Sequence, residues 1–190
     1  MATCGIAFLA MLLMTDAPVL LDGYFKAEVS YDDFKSLVGE VEKHREARLV
    51  NLQTFLLMSR QADVIILDTR SSDRFERIHV KGARHLSFTD FTQENLGEVI
   101  PSTDTTILIY CNNNFLGNQR DFASKVYVPP NPGEKAIAGQ FKVEERPRTM
   151  ALNVPTYINL YGYGYRNVYE LDELVNVLDP RIKFEGSIVK

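Results

Sequence analysis

The sequence predicts an α/β fold: an open parallel β-sheet flanked by helices on both faces. Three observations predict it. Val64–Asp68 (VIILD) and Thr105–Tyr110 (TTILIY) are continuous apolar runs of strand length, with none of the polar alternation of a half-exposed strand. Such runs mark strands buried on both faces. Asn167–Leu171 (NVYEL) is a third run of this kind. Segments with helical periodicity separate the three, and strand–helix alternation builds parallel sheets.

The elements follow in chain order. Ile6–Met14 (IAFLAMLLM) is an apolar run of nine residues, too short to span a bilayer but long enough for the core of a signal peptide. Thr15, Asp16 and Ala17 supply small residues at a plausible cleavage point, although no Lys or Arg precedes the run and Pro18 would follow the cut. Residues 1–22 are therefore a candidate leader. A signal at 1–17 implies export, periplasmic or secreted; the alternative is a hydrophobic first element in a cytoplasmic protein. Residues 23–48 form an N-terminal helical extension. Ser30 and Asp33 resemble an N-cap, and Phe34, Leu37, Val38 and Val41 recur at helical spacing up to about Arg48.

A second helix is expected over Leu52–Arg60, the Val64–Asp68 strand next, and a short helix over Ser72–Arg77. Ala83–Leu86 reads as a brief strand, and Phe88–Leu96 as a further helix. The Thr105–Tyr110 strand delivers the chain to Cys111. From Asn112 to Met150 the text turns polar, contains Pro129, Pro130, Pro132 and Pro147, and has no sustained period. So long an excursion inside a compact domain points to function. Val154–Tyr163 is helical, with Pro155 tolerated in its first turn. Asn167–Leu171 follows, and a helix over Asp172–Leu178 is expected to close the domain.

Composition narrows the function. A net charge of −4 over 190 residues offers no general basic surface for nucleic acid. The only cysteines are Cys4 and Cys111, which excludes a disulfide framework and a thiolate-rich zinc site. His44, His79 and His85 share no metal-ligand spacing. No cofactor, metal site or stable membrane span is expected, and nothing in the sequence fixes an oligomeric state.

Four stretches, in order, resemble the rhodanese-like (sulfurtransferase) family. Ile66-Leu67-Asp68-Thr69-Arg70 resembles its strand ending in Asp-x-Arg. Phe75–His85 (FERIHVKGARH) resembles its Phe-x-x-Gly-His-Ile-x-Gly-Ala-x-Asn/His segment. Ile107–Cys111 resembles the strand ending in the catalytic cysteine. Leu160 with Gly164-Tyr165-Arg166-Asn167-Val168 resembles the helix and strand that come after the active-site loop. The resemblance covers Leu49 to Pro180 and implies a three-layer α/β/α domain, here taken as 49–190. Family members carry a short Cys-x-x-Gly-x-Arg loop. In this chain the fifth residue after Cys111 is Leu116, and counting back from Gly164 would align the arginine near Leu152. The chain thus resembles a divergent branch whose active-site loop carries an insertion over 112–150.

At the end of a buried strand a lone cysteine is either a small core residue or a nucleophile, and spacing alone leaves both open. The resemblance selects the nucleophile. It implies that Cys111 takes a sulfane sulfur from a small-molecule donor such as thiosulfate and passes it to a thiol or other nucleophilic acceptor. The alternative is a non-catalytic module whose insertion recognises a partner or small anion. An arsenate or phosphate-ester enzyme of the same fold is disfavoured, because the arginine that would wrap the oxyanion is missing. Asn112, Asn113 and Asn114 suit an anion-cradling turn as well as an ordinary one. Arg120, Lys125, Lys135, Lys142, Arg146 and Arg148 make the excursion locally basic. Arg148 is the candidate replacement for the missing arginine because it lies nearest the following helix. By the resemblance, Asp68, Arg70 and His79 support the site structurally.

Overall fold

In the computed structural model, residues 20–21, 23–129 and 147–189 are described. The apolar run at 6–14, and Lys135, Lys142 and Arg146 of the excursion, lie outside those residues. Five strands form the central sheet: β1 (Leu49–Val50), β2 (Val64–Asp68), β3 (Arg84–His85), β4 (Thr106–Tyr110) and β5 (Val168–Leu171). All pair in parallel, in the order β1-β5-β4-β2-β3. The two long apolar runs of the sequence are thus adjacent central strands, in register from Val64 opposite Thr106 to Asp68 opposite Tyr110.

Because strand side chains alternate between faces, each central strand feeds two cores. Ile65, Leu67, Ile107, Ile109 and Val168 point to one face, where they meet α1 (Tyr31–Glu46), α4 (Gln93–Val99) and α5 (Asn153–Gly162) through Val41, Leu96, Tyr157, Ile158 and Leu160. On the other face, Ile66, Leu108 and Tyr110 pack with Leu52 and Phe55 of α2 (Leu52–Met58) and with Phe115, Phe122, Val175 and Ile182. The helix α3 (Ser72–Arg77) buries no residue and serves as a connector.

Local chemistry sets the helix starts. Ser30 caps α1 by accepting from Asp33 N at 3.1 Å. Asn51 caps α2 through Thr54 N at 2.9 Å, and Thr92 caps α4 through Asn95 N at 3.1 Å. Such caps satisfy backbone donors that the helix leaves unpaired. The Thr92 cap begins a helix later than expected: Phe88–Asp90 is a separate 3-10 turn, and α4 starts at Gln93. At the other end of α1, Arg45 makes a bidentate pair with Glu170 on β5, at 2.6 and 2.7 Å.

The helix expected over Asp172–Leu178 does not form. Val175–Asn176 instead pairs in parallel with Phe115–Leu116 just beyond Cys111. Asn176 Oδ1 accepts from Leu178 N at 2.9 Å, closing a turn, while Leu174 and Leu178 are exposed. The long-range pairing claims backbone groups that a helix would need. The excursion also has structure at both ends: Val126–Tyr127 pairs antiparallel with Arg148–Thr149, so its two legs come together.

Leu108 stands at the centre of the sheet with no exposure. Leu108→Ala is expected to lower unfolding free energy by about 2–5 kcal/mol, the range for deleting a buried aliphatic side chain. A shift in the urea midpoint at constant slope measures it.

Candidate active site

Asp68 and Tyr110 end neighbouring parallel strands, and the crevice beyond strand carboxyl ends is where such sheets bind ligands. Cys111 is the next residue. Its thiol is free and 1% exposed. Burial pushes the thiol above its ordinary pKa; the backbone amides of Leu152 and Asn112 and the charge of Lys125 act in the opposite direction, and burial wins. Leu152 is the N-cap of α5, so that helix begins at the sulfur and its N-terminal partial charge favours a thiolate.

The three asparagines after Cys111 have different surroundings. Asn114 is a clamp: its Oδ1 accepts from Cys111 N at 2.8 Å and from Asn153 Nδ2 at 2.9 Å. Its Nδ2 donates to Leu171 O at 2.7 Å, tying the cysteine's backbone to β5. Asn113 Oδ1 accepts from Lys125 N at 2.9 Å and holds the excursion's first leg. Asn112 is 7% exposed, and its Oδ1 is buried without a hydrogen-bond partner, as is Asn153 Oδ1. A buried acceptor left unmatched costs on the order of 1–3 kcal/mol.

Beside the cysteine opens a cleft of about 730 Å³. Hydroxyls line it (Thr69, Ser71, Ser72, Ser87, Thr89 and Ser124), together with Arg70, Arg74 and Lys125. Asn112 and Leu152 also belong to the lining, whereas Cys111 does not. Cys111, 1% exposed, is therefore set back from the cleft surface to which its neighbour Asn112 contributes. Thr69 Oγ1 and Thr156 Oγ1, 2.9 Å apart and buried, join the floor of the cleft to α5.

Asp68 and Arg70 form a buried pair under this floor. Arg70 Nη2 lies 2.7 Å from Asp68 Oδ2, and Nε is 3.0 Å from both carboxylate oxygens. Arg70 also donates to Ile78 O at 2.5 Å and to Asp121 O at 3.3 Å, and stacks over Phe122 at 4.5 Å. Tyr110 donates to Asp68 Oδ2 at 2.5 Å and accepts from Val80 N at 3.0 Å. Burial, with the Asp68 carboxylate beside it, pushes the Tyr110 phenol well above its ordinary range, so it remains a donor. His85 Nε2 donates to Arg70 O at 2.8 Å.

His79 lies away from the thiol. It stacks on Phe75 at 3.7 Å, donates to Phe75 O at 2.6 Å, and its Nε2 is 3.3 Å from Glu185. Arg148 is exposed in the strand opposite Tyr127 and is absent from the cleft lining. Sequence reasoning gave Asp121 no role, yet it is buried and joins the excursion to α3: Arg77 Nε reaches it at 2.6 Å and Arg74 at 3.6 Å, while Arg74 also donates to Arg120 O. The only available signal was two arginines spaced for one face of a short helix. Among the described residues, no cluster of His, Cys, Asp or Glu could hold a metal ion. No described helix is long and apolar enough to cross a membrane.

A family model described as a rhodanese-like domain matches residues 51–173, well over half of the chain. No curated protein matches. Among solved structures, the BH2092 protein from Bacillus halodurans is similar at 12% identity and a TM-score of 0.32, covering 47% of this chain and 64% of that one. A likeness that distant carries no argument about function.

Arg70→Met, which leaves Asp68 charged and buried, is expected to cost about 3–5 kcal/mol in urea unfolding. Asp68→Leu combined with Arg70→Met is expected to cost less than the two single changes summed. For Cys111, a raised pKa means that the thiolate fraction grows only at more alkaline pH. Iodoacetamide labelling followed against pH should therefore have its midpoint above that of a free-cysteine peptide; a midpoint below the peptide's would contradict the burial argument.

Proposed function

This chain belongs to the rhodanese-like domain family, and from that premise we propose that it is a sulfurtransferase that carries sulfane sulfur on Cys111. The observation carrying this reading is the position of Cys111 at the carboxyl end of β4, where the backbone amides of Asn112 and of Leu152, at the start of α5, act to lower the thiol's pKa against burial. Amides and a helix N-terminus stabilise an anion on sulfur, whether thiolate or persulfide.

In the proposed cycle the thiol first loses its proton to solvent base. The thiolate attacks the outer sulfur of thiosulfate, a sulfur–sulfur bond forms, and the old one breaks with its electron pair leaving on sulfite. Cys111 then bears a persulfide. A nucleophile such as cyanide or a thiolate takes the terminal sulfur and returns the Cys111 thiolate, with no net oxidation in the cycle. Asn114 acts as a positioning residue, since it fixes the backbone from which the thiol projects.

A second reading has its own support. The thiol is 1% exposed and held protonated by burial, as suits a non-catalytic module that binds a partner or small anion through the cleft and the excursion. The two readings part in one assay, thiocyanate formation from thiosulfate and cyanide. Sulfurtransfer predicts turnover by the wild type and none by Cys111→Ser, with both folded by circular dichroism. Equal rates for wild type and Cys111→Ala would support the module and sink the proposal.

A further inference from the structure

Three cations line the cleft: Arg70, Arg74 and Lys125. The guanidinium of Arg70 is consumed by Asp68, Ile78 O and Asp121 O. Arg74 is drawn to Asp121 and Arg120 O. For the Lys125 ammonium, no ion pair or hydrogen bond exists among the described residues. Its backbone, by contrast, is fixed on both sides: Lys125 N donates to Asn113 Oδ1 at 2.9 Å, and Lys125 O accepts from Met150 N at 2.7 Å. Lys125 therefore sits where the excursion's two legs meet, one residue before the Val126–Tyr127 strand.

Asn112, nine-tenths buried, belongs to the lining of the same cleft. Asn112 directly follows the cysteine, so the uncommitted cation lines a cleft that reaches the residue next to Cys111. A cation held at its backbone and free at its tip can turn toward an incoming charge.

We propose that Lys125 is the positioning and selectivity residue of this site, drawing the anionic end of a sulfur donor to Cys111. This rests on Cys111 being the reacting thiol. It assigns to a lysine before the excursion's stalk the charge that a Cys-x-x-Gly-x-Arg loop would supply from within. It also moves that role away from Arg148, which pairs with Tyr127 outside the cleft lining. Donors with a negative group beside the transferable sulfur are favoured over neutral ones of equal size, and added salt weakens the preference.

The test uses two thiol reagents that differ in charge, neutral methyl methanethiosulfonate and anionic sulfonatoethyl methanethiosulfonate. In each, the thiolate attacks the sulfenyl sulfur, a mixed disulfide forms, and methanesulfinate leaves with the bonding pair. Full-length Cys4→Ser protein makes Cys111 the only thiol, and intact mass follows its modification. The ratio of anionic to neutral rates cancels any change in thiolate fraction. Lys125→Gln is expected to lower that ratio about tenfold, as loss of one charge at close range in a partly screened site should. Lys125→Arg is expected to retain it, and high salt to compress the difference. An unchanged ratio in Lys125→Gln overturns the proposal, as does failure of either reagent to reach Cys111 in the wild type. Thiosulfate turnover is read separately, so a charge preference without turnover would sink sulfurtransfer while leaving the role of Lys125 standing.

Discussion

The ion pair between Asp68 and Arg70 is the constraint on which the rest of the site depends. Both side chains are almost wholly buried, and a buried pair recovers its desolvation cost only when every remaining donor and acceptor is used. Here they are used on different pieces of the chain. Arg70 reaches Ile78 O after α3 and Asp121 O in the excursion, and Asp68 accepts from Tyr110 on the neighbouring strand. One pair thereby joins β2, β4, the segment after α3 and the leg that leads to Lys125. Removing it would free that leg before it loosened the sheet, whose cores on both faces are apolar.

Opposing electrostatics act on the thiol itself. Taking a thiolate out of water is costly, and here burial outweighs the amides of Leu152 and Asn112 and the charge of Lys125. A helix N-terminus contributes typically about 0.3–1 kcal/mol to a nearby anion, a modest offset against near-complete burial. The resting site is therefore a protonated, sheltered thiol. On the proposed reading, its reactivity would depend on exposure past Asn112 and Leu152, and on charge brought by the cleft.

Much of the fold was legible in the sequence because its determinants are local. The VIILD and TTILIY runs, separated by helical segments, are the pattern of parallel strands covered on both faces, and Ser30 advertised the start of α1. The stretch after Leu171 misled because Leu174, Val175 and Leu178 fit helical spacing. A pairing with Phe115–Leu116, some sixty residues earlier in the sequence, decided the matter instead. The position of Cys111 was legible, because its place at a strand end follows from the run before it. Around it, legibility failed wherever long-range contacts assign roles. Three consecutive asparagines look equivalent as text, yet only Asn114 clamps the cysteine to β5. Lys125 was one of several excursion cations until the meeting of Lys125 with Met150 set it beside the cleft.

The central claim is that sulfur resides on Cys111. Its most direct test is tandem mass spectrometry of the full chain after incubation with thiosulfate and removal of excess donor, with the peptides mapped without reduction. The account predicts one added sulfur atom on the peptide containing Cys111, lost on brief treatment with cyanide. An unmodified Cys111 peptide, or sulfur found only at Cys4, would contradict it.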